Sequence, residues 1–272
     1  MSPQPLPDRW AVVTGASSGL GALFARRLAA RGHPLLLTGR DAARLDAVRT
    51  EVQRHVDGAV VEAVVADLAT DDGVEALLAR LDGRDVDVLV NNAGFGTYGR
   101  FAEVPAWRES TLIAVDVAAL VRLTHGVLPG MRARGRGRIL NVASTIAFQP
   151  APYQAVYGGA KAFVLSFSQA LSEETRGSGV TVTALCPGPT RTGFVDALQS
   201  DVSQTALYQR LAEPGPVVEA GLRALDHGQP VVVPGLRNRV LSIAGRVTPS
   251  RLLTRITGRM LASPGTRDAA PQ

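Results

Sequence analysis

Short apolar runs, each closed by glycine, proline or a polar turn, alternate along this chain with longer stretches whose apolar residues recur every three to four positions. The short runs are Trp10–Thr14, Pro34–Thr38, Val60–Val65, Val86–Val90, Arg138–Val142, Val180–Leu185 and Val231–Val233. Their length and aliphatic content predict buried strands. The longer stretches predict helices. One passes through Leu23, Phe24, Leu28 and Ala29, and a second runs from Ala42 to His55 behind an N-cap at Asp41. A third, capped by Thr70 or Asp71, ends at Leu81. A fourth spans Trp107 to Arg134, with Leu112, Val115, Ala119, Leu123 and Val127 on one stripe. Two more cover Tyr153 to Thr175 and Pro216 or Val217 to His227. This alternation implies an α/β fold, a doubly wound parallel sheet with helices on both faces and right-handed crossovers. Residues 1–235 form that single domain. Residues 236–272 form a helical tail divided by Pro249, its end from Ser263 to Gln272 expected to be disordered.

In such a sheet ligands gather at the carboxyl ends of strands. The first run ends at Gly15-Ala16-Ser17-Ser18-Gly19-Leu20-Gly21 and then opens a helix. Gly15 permits a tight turn, and Gly19 and Gly21 let ligand and helix come close. The helix N-terminus offers free N–H groups to a pyrophosphate. The second run ends at Gly39-Arg40, with Asp41 assigned to the cap. No acid is left there to hold a ribose diol, and Arg40 is placed to accept a 2′-phosphate. The cofactor expected is therefore NADP(H), with NAD(H) the alternative. The fourth run ends in Asn91-Asn92-Ala93-Gly94, the fifth in Ala143-Ser144 and the sixth in Cys186-Pro187-Gly188-Pro189. Thr192 to Pro216 lacks a sustained pattern and is a candidate lid.

Tyr157 and Lys161 stand four residues apart on a predicted helix and so share a face. A free phenol titrates at about 10, and a nearby ammonium would lower that value toward a usable acid or base. Composition sharpens the point, because Lys161 is the only lysine among 29 basic residues. A chain that uses arginine everywhere else has kept a compact ammonium here.

Charge changes the picture less than the pI of about 10.1 suggests. From Arg237 onward seven arginines and one acid, Asp268, give +6; the chain total of +5 leaves about −1 for everything before. The basic character belongs to the tail, and no aromatic residues interleave its arginines, so nucleic acid is not an expected partner. The tail alternates apolar residues with arginines. Packing on protein is its favoured role, and peripheral contact with an anionic membrane is the other. No apolar run of membrane-span length or signal-peptide type is read. One cysteine, Cys186, fits a reducing cytoplasm, and the four scattered histidines suggest no metal site.

Thr14 to Gly21, Asn91 to Gly94, Ser144, Tyr157 with Lys161, and Pro187-Gly188 occur in this order. Together they resemble the short-chain dehydrogenase/reductase family over about Trp10 to Val233. The resemblance implies a Rossmann-type sheet of about seven strands, a nicotinamide cofactor, carbonyl/alcohol interconversion and a homodimer or homotetramer. It implies that Ser144 steadies the carbonyl oxygen while Tyr157 exchanges its proton. It further implies that Lys161 serves Tyr157 and the nicotinamide ribose. Ser17, Ser18 and Leu20 would join the glycines at the cofactor, Asp67 and Leu68 would bracket the adenine, and Asn92, Ala93 and Gly94 would support the adenosine. Pro187, Gly188, Thr190 and Thr192 would meet the carboxamide end.

Two departures stand out. Asp116 takes the place of a family asparagine that precedes a Leu-Pro pair, here Leu128-Pro129, and that in the family helps hold a proton-relay water. If the backbone carbonyl holds that water the change is mild; if the side chain matters, its charge should raise the pKa of Lys161 and Tyr157. Gly158-Gly159 puts two glycines in mid-helix, each costing about 1 kcal/mol relative to alanine. Phe95, Tyr98, Ser144, Phe148 and Tyr153 are the candidate substrate contacts and describe a mainly apolar cavity. The expected activity is that of a ketone or aldehyde reductase; the alternative is an NADP(H)-binding sensor or scaffold with weak turnover, motivated by Asp116.

Overall fold

The apolar runs pair side by side in a computed structural model that describes residues 6, 8–194, 198, 205 and 208–263; the run from Val60 to Val65, expected to be buried, lies at the sheet edge with Val60 54% and Val65 55% exposed. The strands are β1 (Trp10–Thr14), β2 (Leu35–Gly39), β3 (Val61–Val65), β4 (Val86–Asn91), β5 (Gly137–Val142), β6 (Val180–Leu185) and β7 (Val231–Val232). All neighbours are parallel, in the order β3-β2-β1-β4-β5-β6-β7. This is the Rossmann-type sheet that the alternation implied. Its order reverses between β1 and β4, which opens a crevice at their carboxyl ends.

The strand period of two sorts side chains onto opposite faces. Leu35 and Leu37 of β2 join Phe24, Leu28 and Leu222 on one side. Leu36 joins Leu77, Leu123, Met131 and Ile139 on the other. Full burial of such a side chain is worth roughly 1.5–3 kcal/mol, whereas an exposed ion pair is worth about 1 kcal/mol or less. The two aliphatic layers therefore fix where the strands end, and the strand ends fix the crevice.

The helices are α1 (Gly19–Ala29), α2 (Ala42–His55), α3 (Asp71–Leu81), α4 (Ala106–Ile113), α5 (Leu120–Ala133), α6 (Ala155–Glu174) and α7 (Pro214–Asp226). Asp41 and Thr70 cap α2 and α3 by accepting from Arg44 N and Gly73 N. Strand ends shift by a residue or so, and three larger differences from expectation concern the helices. The long helix is interrupted by a π-helical segment, Ala114–Ala119, between α4 and α5. The tyrosine helix starts at Ala155, because Tyr153 has φ 65 and cannot continue a right-handed helix. Helix α7 starts at Pro214 rather than Pro216 or Val217, since proline at the first position lacks only an N–H that would go unused. The stretch Ala106–Ala133 reaches a mean hydropathy of 1.6 and is long enough for a membrane span. Leu112, Leu120, Leu123 and Met131 from it are buried in the core.

The tail forms α8 (Leu236–Val247) and α9 (Ser250–Leu261), divided at Pro249 as the sequence implied. Of the end expected to be disordered, residues 264–272 lie outside the described residues, while Ser263 is placed and buried.

Candidate active site

Backbone geometry builds one end of the crevice. At the end of β1, Gly15 has φ 62, and a Cβ there would sit 2.8 Å from Ala93 Cα. Gly19 has φ 57, and a Cβ at Gly21 would come within 2.1 Å of the Gly15 carbonyl. Glycine alone lets α1 press onto its own loop. The loop is tied down from β4, where Asn92 Nδ2 donates to the Thr14 and Gly15 carbonyls at 2.9 and 3.1 Å. Thr14 Oγ1 in turn accepts from the Asn92 and Ala93 amides. Below it Asn91 donates to Thr124 and Asn141, and Asn141 to Ser168, a buried polar seam through the middle of the sheet.

A cavity of about 900 Å³ runs along this edge. Its walls include Gly15, Ser17, Ser18, Gly19, Leu20, Arg40, Asp67, Leu68, Asn92, Ala93 and Gly94. Pro187, Gly188, Thr190 and Thr192 line it as well, so of the expected cofactor residues only Gly21 lies beneath the wall. Arg44, which the sequence reading missed, joins Arg40 at the adenosine end; its place four residues on, in the first turn of α2, was the signal available. The positive-φ glycines, the close-pressed α1 N-terminus and the two arginines fit a dinucleotide with a 2′-phosphate.

Side chains build the other end. Ser144 follows β5, and Tyr157 and Lys161 stand one turn apart on α6 with 6% and 5% exposure. Lys161 Nζ donates to the Val142 carbonyl at 2.9 Å and pairs with Asp116 Oδ2 at 3.0 Å. It lies 5.7 Å from the Tyr157 ring centroid. Asp116 is fully enclosed in the π-helical segment, behind Lys161 and outside the cavity wall. Its Oδ1 accepts from the Phe95 amide at 3.0 Å, and a Cβ on Gly94 would meet its Oδ2 at 2.8 Å. Burial pushes its carboxyl above the usual range, against the pull of the ammonium and of that amide.

The expectation that Lys161 draws the phenol downward is corrected here. Burial raises the Tyr157 pKa above its ordinary value, the Asp116 charge raises it further, and the hydrogen bond from Ser144 pulls the other way. The main reason is burial of the phenol, to which the Asp116 carboxylate adds. The half of the expectation that concerned Asp116 and the tyrosine holds.

The substrate side is less as expected. Phe95 and Ser144 line the cavity, with Val115, Ile146, Gln149, Phe194 and Tyr208. Tyr98, Phe148 and Tyr153 do not. The Tyr98 hydroxyl donates to the Leu261 carbonyl, and its ring packs 6.2 Å from that of Tyr153. The carbonyl of Phe148 abuts Gly245 of the tail. Tyr208 was missed; its hydroxyl donates to Gln154 Oε1 at 3.3 Å, and Gln154 Nε2 donates to the Thr97 carbonyl at 3.4 Å. Burial raises the Tyr208 pKa as well. Of the expected lid, Leu198 and Thr205 are buried and Ala212 bridges to Thr190. Residues 195–197, 199–204 and 206–207 lie outside the described residues.

A glycine loop at the switch point of a parallel sheet, facing a serine, a tyrosine and a lysine across one cavity, defines a dinucleotide-binding α/β protein of the dehydrogenase type. Residues 9–203 match the short chain dehydrogenase profile, and the chain belongs to that family. It is similar to human 17-beta-hydroxysteroid dehydrogenase type 3, 35% identical over 197 residues, which are 71% of this chain and 63% of that protein. A short-chain dehydrogenase from Sphingobium yanoikuyae, solved in complex with NADPH, superposes with TM-score 0.79 and 36% identity over 87% of this chain and 92% of that one. The bulky-bulky ketone specific alcohol dehydrogenase of Comamonas testosteroni superposes with TM-score 0.76 and 31% identity, covering 87% and 91%.

Proposed function

We propose that this chain is an NADP(H)-dependent oxidoreductase that interconverts a carbonyl and a secondary alcohol on a mainly apolar small molecule. The observation that carries the reading is a single cavity with Arg40 and Arg44 at one end and Ser144, Tyr157 and Lys161 at the other. The NADPH in the Sphingobium protein and the bulky ketones of the Comamonas protein support it. So do the apolar walls at Phe95, Val115, Ile146 and Phe194.

When bound, the nicotinamide supplies or takes up the hydride. The chain does the rest. Ser144 donates a hydrogen bond to the substrate oxygen, where negative charge develops. Tyr157, buried and kept protonated by its surroundings, is an acid poised to deliver a proton to that oxygen. A raised phenol pKa favours the reductive direction near neutral pH, because oxidation needs the phenolate first. Lys161, held by Val142 and Asp116, keeps one charged group beside the phenol and the cofactor ribose. The single cysteine, Cys186, is in keeping with a cytoplasmic setting. Exposed Trp107 and Ile113 on α4 support self-association.

The test is loss of NADPH absorbance with a panel of bulky ketones, in the parent and in Tyr157→Phe. Turnover that survives the substitution would remove Tyr157 as the acid. A sensor is the second reading, and the Lys161–Asp116 pair favours it by engaging the lysine. NADPH binding without turnover of any carbonyl, with turnover gained in Asp116→Asn, would select it.

A further inference from the structure

Helix α8 is turned inside out. Its small and polar stripe, Asn238, Ser242 and Gly245, faces the protein: Asn238 abuts Gly188, Ser242 is 5% exposed and Gly245 lies against the Phe148 carbonyl. Its aliphatic stripe, Leu236, Val240, Ile243 and Val247, recurs at helical spacing and is 56% to 77% exposed. In a helix stabilised only by packing on its own domain those stripes would be exchanged. The next helix continues the face. In α9 Leu253, Thr257 and Leu261 are buried against the body of the protein, where Thr257 Oγ1 donates to the Pro150 carbonyl and the Leu261 carbonyl accepts from Tyr98. Leu252 and Ile256 of α9 point outward, 52% and 43% exposed.

Arginine accompanies the exposed aliphatics. Arg237, Arg239, Arg251, Arg255 and Arg259 are all exposed, and no acidic residue occurs between residues 236 and 263. A second copy of this chain meeting the face across a twofold axis would set these arginines against themselves. Aliphatic side chains flanked by arginine match instead the boundary of a bilayer, where acyl chains lie beneath anionic headgroups.

We propose that the outward face of α8 and α9 is a docking surface for an anionic lipid membrane. The inference does not depend on the reaction assigned above. Because the inner face of α8 rests on Gly188, which lines the cavity, docking would hold that part of the cavity near the lipid.

The experiment is co-sedimentation of the full chain with phosphatidylcholine vesicles, with and without phosphatidylserine. Pelleting is expected with the anionic vesicles, and it should fall as salt approaches 1 M, where the Debye length is about 3 Å. A variant carrying Leu236→Ser, Val240→Ser, Ile243→Ser and Val247→Ser should lose binding by on the order of tenfold or more, with its thermal midpoint unchanged. If that variant does not fold, Arg237→Gln with Arg239→Gln, Arg251→Gln and Arg255→Gln takes its place and should give the same loss. No pelleting with anionic vesicles, equal pelleting without phosphatidylserine, or equal pelleting of the folded variant would overturn the proposal. So would a concentration-dependent dimer that the variant dissociates in the absence of vesicle binding, since the face would then belong to a second copy.

Discussion

The two ends of the cavity are made of different material. At the cofactor end the wall is mostly main chain: Gly15 and Gly19 take conformations that side chains resist, and Gly21 leaves room for a carbonyl 2.1 Å from where its Cβ would lie. At the substrate end the wall is made of side chains held by distant partners. Tyr208 is anchored on Gln154, and Gln154 on Thr97. A main-chain wall tolerates almost no substitution and serves a ligand that does not vary. A side-chain wall can be rebuilt one residue at a time, which suits the end where substrates differ.

The contrast is sharpest at Tyr157, the proposed acid. Tyr157→Phe should lower turnover by about 10²–10⁴-fold, the usual contribution of a positioned general acid. NADPH affinity, read by fluorescence, should stay near that of the parent. At the other end Gly21→Ala should do the reverse. Its Cβ would drive α1 off the loop, at a cost of about 1–3 kcal/mol, seen as weakened binding of both NADPH and NADH. An unchanged affinity would break the claim that this wall tolerates no side chain.

Arg40→Ala and Arg44→Ala probe the adenosine end more finely. Each charge-assisted contact to a phosphate is worth roughly 1.5–3 kcal/mol, so each change should weaken NADPH about tenfold or more and leave NADH nearly untouched. Equal loss for both cofactors would remove the 2′-phosphate argument. Asp116→Asn tests the electrostatics around Tyr157. Removing a negative charge that raises the phenol pKa should let the phenol ionise at lower pH. The reductive rate, which needs the protonated phenol, should then begin to fall at lower pH than in the parent, and the oxidative rate should begin to rise earlier. A pH–rate profile that does not move would exclude Asp116 as the cause.

The smallest effects separate neighbours on α6. A Cβ at Gly158 would lie 2.7 Å from Ala151 Cβ, whereas at Gly159 nothing comes within 4 Å. Gly159→Ala should stabilise the fold by up to about 1 kcal/mol and Gly158→Ala should destabilise it, as thermal melting would show.

This difference in material also decides what could be read from the sequence. Strands, the glycine loop and the pairing of Tyr157 with Lys161 on one helix face were legible because each rests on a residue type with a narrow physical use: glycine at positive φ, aliphatics at period two, one lysine in a chain of arginines. Arg44 was within reach of the same reasoning. The substrate wall was not, because Tyr208, which lines it, is held by Gln154 from 54 residues away. Tyr98, Phe148 and Tyr153 passed as candidates on aromaticity alone, a property that core packing and ligand contact share. Tyr208 sits in a stretch without periodicity, and the inverted stripe of α8 looks from sequence like any amphipathic helix. Which side of such a helix faces its own protein is set by the loops beneath it.

The π-helical segment Ala114–Ala119 gives the long helix a phase error that the fold depends on. The wider turn takes up one residue more than an α-turn holds, whereas removing one residue just outside it, such as Ile113, would turn α4 by about 100° relative to α5. Leu112 would leave the core on one side or Leu120 on the other, and the Asp116 carboxylate would swing out from under Gly94. A surface loop absorbs gain or loss of a residue with ease; in this buried screw a single deletion would put the acid–base end and the sheet out of step.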